Sequence, residues 1–204
     1  MKKVLLFLIF TSVLGCKQSQ TNNYNHKIDY CCCPGCTIYI QPYENFTIEE
    51  VNKIIPELNK QFDHWLYGKW IFKISDPISL PKNSNLTNYN KYEAIKILNF
   101  QNRKIKNNEV IIGLTHKDIC KDIHNIKHYG IVGLSYSPGN VCVVSDKRLK
   151  DKSQIWKPIL HEFIHAYYGE KHCPNNDPTC FMVDAKGKGN FAIQNKLCNS
   201  CNKQ

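Results

Sequence analysis

Residues 161 to 165 read His-Glu-Phe-Ile-His, with a glutamate directly after the first of two histidines. Positions four apart on an α-helix lie on the same face about one turn apart, so His161 and His165 can reach one metal ion. Glu162 then lies beside that face, where its carboxylate can act on a water molecule that the metal activates. Zinc lowers the pKa of such a water toward neutrality, so the spacing predicts a zinc-dependent hydrolase. The alternative interpretation is an amphipathic helix with two exposed histidines.

A third imidazole follows this pair at His172, just past Gly169. A catalytic zinc needs three protein ligands and one open position. Glycine can end a helix in a left-handed conformation, which turns the chain back toward the metal. We therefore predict that the three histidines hold a catalytic zinc and that Glu162 is its general base. A carboxylate from Asp177 or Asp184 is an alternative third ligand, although neither lies in a recognisable helical motif.

The chain contains eleven cysteines, which fall into groups along the sequence. One group follows the third histidine and consists of Cys173, Cys180, Cys198 and Cys201. An early group consists of Cys31, Cys32, Cys33 and Cys36, whereas Cys120 and Cys142 stand alone in apolar surroundings. For the early group we favour disulfides, with Cys120 as a candidate partner, over a further metal site. Cys120 and Cys142 are equally well explained as buried, unreactive thiols.

The amino terminus has the composition of an export signal. Lys2 and Lys3 precede a mostly apolar run that is too short to span a bilayer comfortably, and Gly15 and Cys16 close it. The sequence Val-Leu-Gly-Cys resembles a bacterial lipobox, which predicts a signal peptide over residues 1–15 and a lipid on Cys16. A plain signal peptide with an incidental cysteine is the alternative. The polar residues 16–30 are predicted to form a flexible tether.

Charge and export limit the partners that we expect. The chain has 27 Lys and Arg residues against 17 Asp and Glu residues, and its lysines are scattered among asparagines rather than gathered on a basic helix. We therefore expect no nucleic acid partner, contact with the membrane only through the lipid anchor, and a monomer. The expected location is the bacterial cell envelope, facing the periplasm or the surface.

The remaining chain has the length of a single domain and enough apolar residues for one core. Thr47 and Glu50 form a capping box, which predicts a helix that begins at Thr47, runs toward Phe62 and kinks at Pro56. The other predicted elements are strands at 37–40, 70–75 and 110–114, a loop at 76–90, a short helix at 92–99, and a hairpin of 131–135 with 141–144.

The helix that carries the histidines is predicted to begin near Trp156, because Pro158 favours a position in the first turn. Four apolar or aromatic residues on the side away from the histidines should pack on the sheet: Ile159, Phe163, Ile164 and Tyr167.

The carboxy-terminal motifs resemble those of the archaemetzincins, a branch of the metzincin metallopeptidases. In that family the third histidine is followed directly by cysteine, a C-x-M triplet comes next, and a C-x-x-C pair lies further on. This chain has His172-Cys173, then Cys180-Phe-Met182, then Cys198 and Cys201. Segments 38–42, 114–119 and 133–136 resemble the family's opening strand, central strand and hairpin. The resemblance runs from residue 37 to 201 and is weak between 43 and 108.

The resemblance implies an α/β (α+β) fold, with a metzincin-like catalytic domain over residues 31–204. A small mixed β-sheet would pack against the active-site helix, and a Cys-rich zinc-binding segment would follow. It implies a zinc metallopeptidase in which Met182 forms the Met-turn, an apolar floor under the catalytic zinc. The second zinc would be structural and bound by Cys173, Cys180, Cys198 and Cys201, which two disulfides would otherwise explain. The edge strand that pairs with an extended substrate is expected at Val141–Ser145.

The sequence departs from the family's pattern in two places. Three residues instead of two separate His165 from Gly169, so a bulge or a wider turn must absorb one residue if His172 is to reach the metal. Six residues, more than usual, separate Cys173 from Cys180. The first departure motivates the alternative of a zinc-binding envelope lipoprotein with a degenerate site and no peptidase activity.

Overall fold

The computed structural model describes residues 36–106, 109–184 and 191–202. The predicted signal peptide (1–15) and tether (16–30), together with Cys31, Cys32 and Cys33, lie outside the described residues. The described residues belong to one unit, which extends from Cys33 to Gln204. Its strands are β1 (Cys36–Pro42), β2 (Trp70–Ile74), β3 (Asn85–Leu86), β4 (Lys91–Glu93), β5 (Glu109–Thr115), β6 (Ile119–Ile123), β7 (Ile126–Ile131), β8 (Gly133–Ser135) and β9 (Val141–Ser145). Its helices are α1 (Ile48–Trp65), α2 (Ala94–Asn102) and α3 (Trp156–Phe163).

Five strands form a mixed sheet in the order β2-β1-β5-β9-β8. Strands β2, β1, β5 and β9 pair in parallel, and β8 pairs antiparallel with β9 as the second arm of a hairpin. The central strands are almost fully buried, as expected for parallel strands that are covered on both faces. The predicted small mixed sheet and its hairpin are therefore confirmed.

A second sheet of four strands, in the order β3-β4-β6-β7, was missed by the sequence analysis. Part of the predicted loop at 76–90 forms β3, and two short 3₁₀ turns flank this strand. The helix predicted to begin at residue 92 begins instead at Ala94, because Tyr92 and Glu93 pair with Ile119 and Cys120 of β6. The strands of this sheet are short and half-exposed, so their side chains give little apolar periodicity.

Helix α1 begins where the capping box predicted. The Thr47 hydroxyl accepts a hydrogen bond from the Glu50 N–H at 3.1 Å, and the Glu50 carboxylate accepts one from the Thr47 N–H at 2.8 Å. The helix continues through Pro56 and ends at Trp65, about one turn beyond Phe62. The N–H groups of Thr47 and Glu50 thus both have acceptors, so the start of α1 is fixed by contacts between neighbouring residues.

The sheet of five strands has a core on each face. On one face of the sheet, helices α1 and α3 pack to form the larger core. On the other face, helix α2 packs to form the smaller core. Ile159, Phe163 and Ile164 are fully buried in the larger core and Tyr167 is packed against it, as predicted. The result is a mixed α/β fold with two mixed sheets and few helices. In the part of the chain that the structure describes, no helix has the length and apolarity needed to cross a bilayer.

Candidate active site and metal centres

Helix α3 and the turn that follows it bring three imidazoles together. His161 lies in α3 and His165 in the next turn, and their Nε2 atoms are 3.1 Å apart. One ring nitrogen from each of His161, His165 and His172 lies within 4.8 Å of the others. The predicted set of histidine ligands is thus assembled around one point, including the third ring beyond Gly169.

Hydrogen bonds to His161 and His165 leave the Nε2 lone pairs of these two rings facing each other. Nδ1 of His161 lies 2.7 Å from the carbonyl oxygen of Phe181, and Nδ1 of His165 is bonded to the carbonyl of Glu170. A carbonyl only accepts, so Nδ1 carries the proton in each ring and Nε2 carries the lone pair. Burial lowers the pKa of His161 and of His165 to about 4, so both rings are neutral near pH 7. Two lone pairs 3.1 Å apart repel unless a cation lies between them, which fits zinc at about 2.0–2.1 Å from each nitrogen.

A π-helical turn at Ile164–Tyr168 absorbs the extra residue of the motif. Its wider spacing holds one more residue than an α-helical turn, and Gly169 then reverses the chain at φ 68°. The expected bulge or wider turn is confirmed. His172 consequently lies with the two earlier histidines although the linker is longer.

The β8–β9 hairpin supports this turn from outside. The carbonyl oxygen of Ala166 accepts hydrogen bonds from the N–H groups of Gly139 at 3.0 Å and Asn140 at 3.2 Å. In a regular α-helix this oxygen would accept from the N–H four residues later. The wider turn leaves this oxygen available, and the hairpin satisfies it, so the carbonyl of Ala166 is not orphaned.

Glu162 lies against the edge strand β8. Its Oε2 accepts a hydrogen bond of 2.7 Å from the Ser135 hydroxyl, and Gly133 lies beside the rest of its side chain. Burial raises the pKa of Glu162, as it does for a carboxyl group removed from water. The motif spacing places Glu162 beside the metal but gives no sign of Ser135, because this contact joins positions 27 residues apart.

The four late cysteines form a second cluster. One sulfur from each of Cys173, Cys180, Cys198 and Cys201 lies within 4.8 Å of the others. The Cys173 and Cys198 sulfurs are 3.6 Å apart, well beyond the roughly 2.0 Å of a disulfide. A zinc ion at about 2.3 Å from four tetrahedral thiolates separates the sulfurs by about 3.8 Å. The donor set and spacing therefore fit a closed four-thiolate zinc site better than two disulfides.

Backbone N–H groups favour the thiolate form of Cys173. Burial alone would raise the pKa of Cys173, but the backbone N–H groups of Asp177 and Asn175 hold it below the usual value of a thiol. The N–H of Cys198 also donates to the Cys180 sulfur at 3.5 Å. Such bonds stabilise negative sulfur, which is the form that binds zinc.

A tight turn connects the two clusters. The N–H of Val183 donates to the carbonyl of Cys180 at 3.2 Å, which closes a turn around Phe181 and Met182. Met182 is buried in the larger core, and its carbonyl accepts a bond of 2.7 Å from the N–H of Cys173. The Phe181 carbonyl orients His161, so one turn contacts both the histidine and cysteine clusters.

The two alternative carboxylate ligands have other neighbours. Asp177 accepts bonds from Thr179 and pairs with Lys196, while Asp184 lies 3.9 Å from Nδ1 of His172. The group gathered around one point is the three imidazoles, so Asp184 lies beside His172 rather than in its place.

Two curated archaemetzincins are similar in sequence. The protein from Haloquadratum walsbyi is 28% identical over 146 residues, which cover 61% of this chain and 77% of that protein. The protein from Nanoarchaeum equitans is 33% identical over 94 residues, covering 44% of this chain and half of that protein. These matches support the archaemetzincin family. No family model matches it.

Solved archaemetzincin structures share the fold. The structure from Methanopyrus kandleri has a TM-score of 0.65 at 21% identity and covers 82% of this chain and 91% of its own. The structure from Archaeoglobus fulgidus, complexed with malonate, has a TM-score of 0.62 at 23% identity and covers 81% and 97%. The mixed α/β fold is therefore that of the archaemetzincins.

The predicted substrate-pairing strand, Val141–Ser145, was wrong. Val141–Ser145 is β9, which lies inside the sheet between β5 and β8, so neither of its edges is open. The hairpin folds outward and makes β8 (Gly133–Ser135) the edge strand on the side of Glu162. Strand β9 was predicted as the edge because it directly precedes the motif helix in sequence. Its antiparallel partner β8 lies at the edge of the sheet instead.

The predicted disulfide to Cys120 is not found among the described residues. The thiols of Cys120 and Cys142 are free and buried, in β6 and β9 respectively. Cys36 is buried at the start of β1, in a different sheet from Cys120. The interpretation of Cys120 and Cys142 as buried thiols is the one that the structure supports.

Proposed function

We propose that the protein is a zinc-dependent metallopeptidase, an endo- or aminopeptidase that hydrolyses peptide bonds. The observation that carries the proposal is the convergence of three imidazoles on one point, with Glu162 held beside them at the edge strand. Three nitrogen ligands leave a fourth position of tetrahedral zinc open, as hydrolytic zinc sites require.

The chain's own residues supply positioning and proton transfer. When bound, zinc would supply an acidified water and stabilise the charge that develops on the peptide carbonyl oxygen. Glu162 takes a proton from the attacking water as the carbon–oxygen bond forms. It then gives that proton to the peptide nitrogen as the carbon–nitrogen bond breaks, which yields a carboxylic acid and an amine. The open edge of β8 offers backbone donors and acceptors to an extended peptide beside Glu162.

The four thiols are proposed to hold a second, structural zinc. It would tie Cys173, directly after the third histidine, to the tail segment with Cys198 and Cys201, and so fix the Met182 turn. The full protein would then contain two zinc ions, with Met182 as the apolar residue of the Met-turn.

A zinc-binding protein without peptidase activity is the competing function. It was motivated by the extra residue before Gly169, which threatened the third ligand. The π turn at Ile164–Tyr168 removes that motivation, because it accommodates the residue and leaves His172 with its partners. The peptidase is therefore favoured.

Turnover of a peptide library by zinc-loaded protein tests the proposal. Glu162→Gln removes the proton acceptor but keeps the shape of the side chain, so we expect at least a hundredfold loss of kcat with an unchanged zinc content. Elemental analysis of the same samples is the control for metal binding. Full turnover by Glu162→Gln would mean that the assigned base is wrong. No hydrolysis by the parent protein would favour the non-catalytic alternative.

We propose further that the protein acts as a monomer on peptide or protein substrates and is anchored by lipid on Cys16 in a bacterial envelope. The support is the basic start, the short apolar run and the Val-Leu-Gly-Cys sequence. Expression of the full chain in a bacterium should place it in the detergent phase of a detergent–water partition, whereas Cys16→Ser should move it to the aqueous phase. Equal partition of both forms would overturn the anchor.

A further inference from the structure

The Glu162 carboxylate is held by a neutral hydroxyl on the edge strand. The Ser135 Oγ–H donates to Glu162 Oε2 at 2.7 Å, the usual distance of an O–H···O hydrogen bond. Ser135 pairs with Cys142 of β9, so its place along the sheet is set by the hairpin register. A hydrogen bond from a fixed strand restricts the rotation of the Glu162 side chain.

Gly133 makes room for the same side chain two positions earlier on β8. A Cβ atom at position 133 would lie 2.6 Å from Glu162 Cγ and 2.8 Å from Oε1, closer than such atoms approach one another. Residues two apart on a strand share a face, so Gly133 and Ser135 both face Glu162. Together they form a slot, in which Oε2 meets the Ser135 hydroxyl while Oε1 lies beside Gly133.

The slot gives the two carboxylate oxygens different tasks. Oε2 already accepts the Ser135 hydrogen bond, so Oε1 keeps the larger capacity to accept a proton from water. A general base must be held within hydrogen-bond reach of the proton that it removes. A carboxylate free to rotate would lose that alignment for part of the time, and the rate would fall with no change in substrate binding.

We propose that Ser135 is a positioning residue, which holds Glu162 through the Oγ–H···Oε2 bond so that Oε1 faces the attacking water, and that Gly133 is required for the same placement. This inference rests on the proposed peptidase function. Ser135 touches neither the substrate nor the metal in this role and acts through Glu162.

Kinetics of the zinc-loaded full chain give the first test. Loss of a hydrogen bond to a charged group predicts that Ser135→Ala lowers kcat about tenfold to hundredfold, with KM and zinc content unchanged. Ser135→Thr keeps the hydroxyl and should restore kcat to within about threefold of the parent. Ser145→Ala is the matched control, because it removes a strand hydroxyl that bonds to the carbonyl of Lys117 and should leave kcat within about twofold.

A double-mutant cycle on the zinc-free protein gives a second test that needs no activity. The unfolding equilibrium constants of the parent, Ser135→Ala, Glu162→Ala and the double variant should deviate from additivity by about tenfold, because the two side chains interact directly. Additive effects would overturn the hydrogen bond. A parental kcat in Ser135→Ala, or a loss that Ser135→Thr does not restore, would overturn the positioning role. If the parent hydrolyses no peptide, the proposed function is wrong. If the parent is active and Ser135→Ala is equally active, only the positioning role of Ser135 is wrong.

Discussion

At the scale of single residues, the carbonyl groups behind the histidine rings determine what the rings can bind. The carbonyl oxygens of Phe181 and Glu170 fix the protons of His161 and His165 on Nδ1 and turn both Nε2 atoms inward. The spacing of the motif predicted that the two rings share a face, because helical geometry alone decides that. It did not identify their carbonyl partners or Ser135, since these contacts depend on how distant segments pack.

The pH dependence of the zinc-free protein follows from these buried rings. Burial lowers the pKa of His161 and His165 to about 4 in the folded state, below the usual 6.5, so the unfolded chain binds protons more tightly. The free energy of unfolding is therefore highest above pH 6.5, where the rings are neutral in the folded and unfolded chain. It falls as the pH drops toward 4, because the unfolded chain takes up protons first.

Thermal unfolding of chelator-treated protein across this range should show the melting temperature falling with pH. A variant with both histidines replaced by glutamine should lose less stability over the same interval, because it has no buried ring to protonate. The same pH slope in both proteins would contradict the burial of these rings.

At the scale of elements, the motif helix is held by two segments distant in sequence. The β8–β9 hairpin bonds to the carbonyl of Ala166, in the middle of the π turn. At the other end, the buried Lys157 ammonium donates to the carbonyls of Phe191 at 2.5 Å and Gln194 at 2.6 Å. The need for a bulge was visible in the spacing, but the segments that support it were not, because their contacts are backbone bonds without a sequence pattern.

Lys157 therefore docks the tail segment on α3. Lys157→Met keeps the apolar stem but leaves two buried carbonyls without their charged donor, so we expect the free energy of unfolding to fall by about 2–4 kcal/mol. Chemical denaturation measures the change. The matched control is Lys60→Met on α1, whose exposed ammonium lies 3.9 Å from Glu57 and should contribute less than about 0.5 kcal/mol. Equal effects of the two substitutions would contradict the docking role.

At the scale of the whole molecule, the two clusters lie on opposite sides of one peptide bond, between His172 and Cys173. The long buried strands of the first sheet were predictable because continuous apolar runs such as residues 110–114 mark them. The second sheet was not, since its strands are short and its registers are set by packing. The convergence of the three histidines was predicted from their spacing around Gly169, and that of the four cysteines from the resemblance to the archaemetzincins.

The two clusters should separate into a catalytic and a structural role when each loses one ligand. His172→Ala removes one imidazole and leaves the four thiols intact, so zinc content should fall from about two ions to about one with a small change in melting temperature. Cys198→Ser also removes about one ion, but should lower the melting temperature strongly, because a closed four-thiolate site contributes its binding energy to folding. Elemental analysis with calorimetry distinguishes the cases. An unchanged zinc count in His172→Ala would show that another group supplies the third ligand. A Cys198→Ser protein as stable as the parent would show that the tail is held by packing and by Lys157 rather than by a metal.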